Sequence, residues 1–234
     1  MKSLRLLIFI CTLFLTLGAA PQSEVILTAS QVTSAVDIES AIQQATGNGA
    51  HAGTVTLDAS GGDFVFTGTD RSVNIILSNI RLRSRNGAVI RGCDDGVLFD
   101  ERTANDVAIE GITFHCSTGG VVSGGIKHSR VSIRNNVFHA GAIGISVEKG
   151  SEWQVDNNTI EASEVGVKLG VSTQYARVKA NTIKGVSSAG IALTSDNCGN
   201  HVQGNKVTCA EGVSCLVVDA SAQMYLLNKI TGNK

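Results

Sequence analysis

The chain has 234 residues, with 19 Lys and Arg against 20 Asp and Glu and a formal net charge of −1 at pH 7. That balance excludes the strongly basic surface of a nucleic-acid binder, and no such partner is expected. The length suits one domain, and only 4% of the residues are aromatic, which disfavours the ring platforms of tight neutral-sugar sites.

Residues 1–20 read as a secretory signal: Lys2 and Arg5, an apolar run from Leu6 to Leu17, then small Gly18-Ala19-Ala20. The run is short for a bilayer span. No later apolar stretch is long enough, so no membrane span is expected after signal removal. The product is expected to be secreted, periplasmic or at the cell surface, with residues 21–234 forming a single domain.

A short helix is predicted over 36–46. Val36, Ile38, Ala41, Ile42 and Ala45 recur at helical spacing, Asp37 and Glu39 occupy the first turn, and Gly47 follows the end. Short strands follow at 53–57, 64–66, 73–77, 80–83, 88–90, 97–99 and 107–114. Their spacing is uneven, so 53–130 is read as irregular coils, the place where loops and function can be inserted.

From 131 to 234 one phrase recurs five times: IRNNVF, VDNNTI, VKANTI, VQGNKV and YLLNKI. Its asparagines, Asn136, Asn158, Asn181, Asn205 and Asn228, are 22 to 24 residues apart. A fixed period of this kind means repeats that bury their apolar faces only by stacking. Like positions then form columns, and stacked asparagines can bond amide to amide. Each phrase but the last is followed by a second apolar run: GISV, GVKL, GIAL and SCLV. The density of Gly, Val, Ile and Thr favours strands over helices. The fold class expected is therefore all-β, a parallel solenoid of about eight coils.

The asparagine column, the G-(I/V)-x-(L/V) second strand and the N-terminal arrangement closely resemble the right-handed parallel β-helix of the pectin-lyase-like superfamily. The resemblance covers about Val25 to Lys234. It implies that the helix plugs the open end of the solenoid and that a Gly-Thr-Val-x-Leu strand follows, which Gly53-Thr54-Val55-Thr56-Leu57 matches. The superfamily holds lyases, hydrolases, epimerases and non-enzymes, so the fold leaves the activity open.

Cys11 belongs to the signal, and the remaining five cysteines are Cys93, Cys116, Cys198, Cys209 and Cys215. One period separates Cys93 from Cys116, and Cys209 and Cys215 flank one turn, so these are the two natural disulfide pairs. Apolar stacking without a bond is the alternative, and Cys198 is the thiol left over.

Charge concentrates before the asparagines begin. Arg81, Arg83 and Arg85 alternate with Leu82 and Ser84 and leave the strand on one face; Arg91 follows. Guanidinium forks on one face suit a carboxylated sugar chain. The catalytic candidates are Asp94, Asp95, His115 and Lys127. Asp94-Asp95 with His115 one coil later resembles the middle of the polygalacturonase series, though the flanking motifs differ. A lyase would need calcium, for which Asp94, Asp95 and Asp100 could supply oxygens, and a basic residue such as Lys127 or Arg91. No other cofactor is expected.

A second outward column holds His115, His139, Glu161 and Lys184. The function expected is binding of, or action on, an acidic polysaccharide such as a polyuronate. The alternatives are a polysaccharide lyase or glycoside hydrolase acting on pectin-like glycans, and a structural or adhesive module with no ligand site. The last coil, with Met224 and Leu226 at formerly polar positions, is expected to offer an edge for self-association or a partner chain.

Overall fold

Strands of three to six residues cannot bury their own apolar faces, and in the computed structural model they do so by stacking in parallel. The structure describes residues 23–99, 102–162, 164–219 and 228–233. The expected signal, Asp100, and Met224 and Leu226 of the last coil lie outside them. A nine-stranded sheet starts at Ser23–Thr28, passes through Gly53–Asp58, Ile80–Arg85, Asn105–Glu110 and Ser129–Arg134, and ends at Lys229–Thr231. A second sheet of 12 strands covers two further sides. Val89–Phe99 and Thr113–Ser123, each 11 residues long, run across the corner between those sides. Later coils break at that corner, as between Val137–Ala140 and Ile143–Val147. The result is a three-sided solenoid of about seven complete turns.

Strand alternation sends one column of side chains inward on each side. On the second sheet Phe64, Ile90, Phe114, Phe138, Ile160 and Ile183 stack in register, all fully buried. The rings of Phe114 and Phe138 lie parallel, 5.2 Å apart. Each such side chain contributes about 1.5–3 kcal/mol of burial, and the column repeats that gain coil after coil.

The helix Ala35–Thr46 closes the N-terminal end. Ile38, Ala41, Ile42 and Ala45 are buried against the first coil, as their spacing predicts. Asp37 accepts from the Thr33 and Ser34 amides, which holds its carboxyl below the usual range and fixes the helix start. Gly47 ends it in the left-handed region at φ 55°. Gly53 must be glycine because a Cβ there would lie 2.6 Å from the Ala45 carbonyl.

Asn136, Asn158, Asn181 and Asn205 form one buried column. Each side-chain amide donates to a strand carbonyl of the preceding coil and to the next asparagine's Oδ1, which also accepts the backbone N–H above it. The fifth member is Asn233, not Asn228: its Oδ1 accepts from the Asn205 amide and side chain at 3.0 and 2.9 Å. Asn228 belongs to another corner, where its Oδ1 accepts from the Asn200 amide. The register explains the correction, because Ile230 pairs with Val202 and so occupies the place three residues before the ladder position. Each ladder asparagine follows a residue with positive φ: Asn135, Asn157, Ala180, Gly204 and Gly232. That left-handed step turns the chain inward at the corner, which favours Gly and Asn.

Candidate functional site

On the outer face of the nine-stranded sheet the alternation puts charge beside charge. Arg81 lies 3.7 Å from Glu110, and Arg134 approaches the same carboxylate at 2.8 Å. Arg83 pairs with Glu24 at 2.9 Å and also donates to Thr56. Arg85 stands 3.7 Å from Asp58. Further along, Arg130 grips Asp106 with two hydrogen bonds, and Arg177 pairs with Asp156. Each of the three arginines read as a substrate face therefore has a carboxylate from a neighbouring coil, and that side is charge-compensated. The partner acids are far away in sequence; Glu24 precedes the helix.

A different row runs along the second sheet, one residue per coil: Arg91, His115, His139, Glu161 and Lys184. The imidazoles of His115 and His139 stack at 4.3 Å, 11° from parallel. His139 Nδ1 meets Glu161 at 2.8 Å, and Glu161 also pairs with Lys184. At the other end Arg91 donates to Asp63 at 2.5 Å. Burial, then His139, then Arg91 push the His115 pKa down. The Lys184 ammonium, chiefly, holds the Glu161 carboxyl below its ordinary value. Beside this row a shallow open depression of about 460 Å³ is lined by His139, Gly141 and Glu161, among others.

The catalytic candidates do not share one cleft. The strand carrying Asp94 and Asp95 shifts register twice where it turns the corner, around the bond joining Cys93 to Cys116, whose Cα atoms are 4.5 Å apart. Asp94 is exposed and accepts from Ser117 at 3.0 Å. Asp95 is half-buried opposite Gly119, where a Cβ would lie 2.6 Å from its Oδ1. Burial raises its pKa, with the Gly119 amide offsetting part of that and Asp94 adding to it. Lys127 is exposed in the connection after Ser123. Asp94 lines a cleft beside the helix; Asp95, His115, Arg91 and Lys127 do not. Glycoside hydrolysis needs two carboxyls flanking the bond from opposite sides; these two follow one another on a single strand. Among the described residues no three His, Cys, Asp or Glu side chains gather into a metal-binding group, and Asp100 lies outside them.

That helix-side cleft, of about 370 Å³, is what sequence reasoning missed. Its polar lining comes from the helix, from the loop before Val73 and from the Asp94 corner, three segments that no local pattern links. A second bond joins Cys209 to Cys215, and Cys198 is free. No helix among the described residues is long and apolar enough to cross a membrane.

The family comparison agrees with this geometry. A family profile described as a right handed beta helix region matches residues 64–233. No curated protein matches the chain. A solved structure with a similar course is ORF18 of Geobacillus virus E2, at 12% identity and a TM-score of 0.41. The match covers 84% of this chain and 60% of that one, so the chain spans under two thirds of the phage protein. With parallel strands in register and the profile spanning most of its length, the chain belongs to the right-handed β-helix family.

Proposed function

We propose that this is an exported protein that holds an acidic polysaccharide along the Arg91–Lys184 row without cleaving it. The observation that carries the reading is the row itself. Arg91, His115, His139 and Lys184 present four basic side chains in one column, with Glu161 among them and Asp63 beside Arg91. Successive coils are about 4.8 Å apart, close to the advance of one residue in an extended sugar chain, so consecutive uronates meet consecutive coils. Arg81, Arg83 and Arg85 are paired one for one with Glu110, Glu24 and Asp58. The row is paired at its ends too, Arg91 with Asp63 and Lys184 with Glu161, but it also carries the stacked imidazoles of His115 and His139. Two disulfides fit the oxidising environment of an exported protein. The dispersal of Asp94, Asp95, His115 and Lys127 supports binding over catalysis.

The His115 pKa gives the reading a pH signature. In the free protein burial and neighbouring positive groups keep His115 neutral more readily than usual. A bound carboxylate favours the imidazolium, so binding takes up a proton and tightens as pH falls. The uronate keeps its charge over that range, since a carboxyl beside an electron-withdrawing carbon titrates near about 3.5. Affinity electrophoresis in polygalacturonate, methyl-esterified pectin and a neutral glucan tests this at pH 5.5 and 7.5. Retardation by polygalacturonate alone, stronger at pH 5.5 and weakened severalfold in His115→Ala and His139→Ala, is expected. Equal mobility in all three gels would mean a structural module. Unsaturated product or new reducing ends, with or without calcium, would overturn the non-catalytic part.

A further inference from the structure

We infer that the cleft between the helix and the first coil is a second site, which takes a small hydroxylated amine of the amino-sugar class. It is independent of the polyanion row and lies on different elements. Its floor is apolar, with Ile42 from the helix and Ile76 and Leu98 from the coils. Its rim carries Glu39, Asp70 and Asp94, against one cation, Arg71. Three carboxylates against one guanidinium give the cleft a negative potential, which rejects uronates and attracts ammonium groups.

Two observations show that the cleft is not a solvated groove of surface charge. First, Asn74 Oδ1 is buried in the cleft wall and accepts no hydrogen bond, although the Asn74 amide is tied to Glu39 at 2.7 Å. A buried acceptor left unpaired costs about 1–3 kcal/mol. Asn74 is itself only partly buried and lines the cleft, so a turn of its side chain would bring the oxygen to a ligand N–H or O–H and remove that cost. Second, Arg71, like Arg102, departs from the other described arginines. Arg81, Arg83, Arg85, Arg91, Arg130, Arg134 and Arg177 all make ion pairs, whereas Arg71 makes none among the described residues and donates its Nε–H to the Gly68 carbonyl at 3.0 Å. Asp70, next to it on the same rim, makes no ion pair among the described residues either.

Acceptors on three carboxylates, an orphaned amide oxygen, and donors from Arg71 and Gln43 match a ligand whose groups both donate and accept. Vicinal hydroxyls do so, and the protonated amine answers the excess of acceptors. The volume of about 370 Å³ lies at the lower end of small-ligand sites, which suits one or two sugar rings and not a long chain. The apolar floor takes the C–H face of a ring.

The test is an NMR titration of the full chain with glucosamine, glucose, N-acetylglucosamine, galacturonate and Nα-acetyl-lysine amide, following the methyls of Ile42, Ile76 and Leu98. Glucosamine is expected to shift them saturably, with N-acetylation or loss of the amine weakening binding at least fivefold. Asp70→Asn is expected to weaken glucosamine severalfold and leave the thermal midpoint unchanged, because Asp70 is exposed and its carboxylate makes no ion pair among the described residues. No saturable shift with glucosamine overturns the site. Binding of the lysine derivative as tight as glucosamine overturns the sugar assignment, and tighter binding of galacturonate overturns the charge argument. The polyanion proposal fails or stands separately, since its readout is retardation governed by His115 and His139.

Discussion

A single ladder asparagine does three jobs. Asn181 Nδ2 donates to the Val155 carbonyl and to Asn205 Oδ1, while its own Oδ1 accepts from the Asn158 amide and side chain. Asn181→Ala strands a buried N–H and a buried C=O, each of which costs about 1–3 kcal/mol. The variant is therefore expected to lose about 3 kcal/mol in urea unfolding. Asn228→Ala should lose only about 1 kcal/mol, because the bonds Asn228 makes to Asn200 and Asn197 are half-buried. Equal losses would contradict the assignment of Asn233 as the fifth ladder residue. The mistaken choice of Asn228 has a physical origin. The phrase YLLNKI satisfies the apolar spacing, but spacing alone does not test the turn before the asparagine. Gly204 and Gly232 suit a left-handed step, whereas leucine, the residue before Asn228, suits it poorly. The residue before each asparagine was the better signal.

At the scale of elements, the second apolar run of five successive coils begins with a glycine for a steric reason. Gly96, Gly120, Gly144, Gly166 and Gly190 form a column, and a Cβ on Gly144 or Gly166 would lie 2.5 Å from the carbonyl oxygen of the glycine on the next coil. Gly166 would also meet Ile183 of the inward column. Gly166→Ala must therefore push two coils apart, and overpacking of this kind costs about 1–3 kcal/mol or more. A drop of several degrees in thermal midpoint is expected, with Gly61→Ala, which meets nothing within 4 Å, as the neutral control. An unchanged midpoint in Gly166→Ala would show that the coils can separate freely. The strand-starting glycines were visible in GISV, GVKL and GIAL, and the helix in its apolar spacing, because both signals lie within one element. The charge partners of Arg81 and Arg83 were not, because Glu110 and Glu24 come from other coils. The cleft beside the helix was hidden for the same reason.

For the whole molecule, the two ends differ, and stability in a stacked solenoid is a sum over neighbouring coils. The N-terminal end is covered by the helix, whose Ile38 is fully buried against it. Among the described residues the inward columns lose their cover toward the other end: Val207 is only half-buried, and Leu216 is 37% exposed. Their predecessors Ile183 and Ile191 are buried. A coil with one covered side has one interface term where a central coil has two, so local opening costs least there. Hydrogen exchange followed by mass spectrometry should show the slowest amides in the strands Thr113–Ser123 and Ile143–Val147. Protection should then fall stepwise through Thr182–Val186 to Lys206–Cys209 and Leu216–Val218. The Cys209–Cys215 bond sets a limit on this fraying, since it ties the last two strands of that coil together. Reduction should therefore speed exchange in Lys206–Cys209 and Leu216–Val218 and leave Phe138 and Ile145 unchanged. Uniform protection from end to end would mean that the solenoid opens as one unit, and the nearest-neighbour account of its stability would fail.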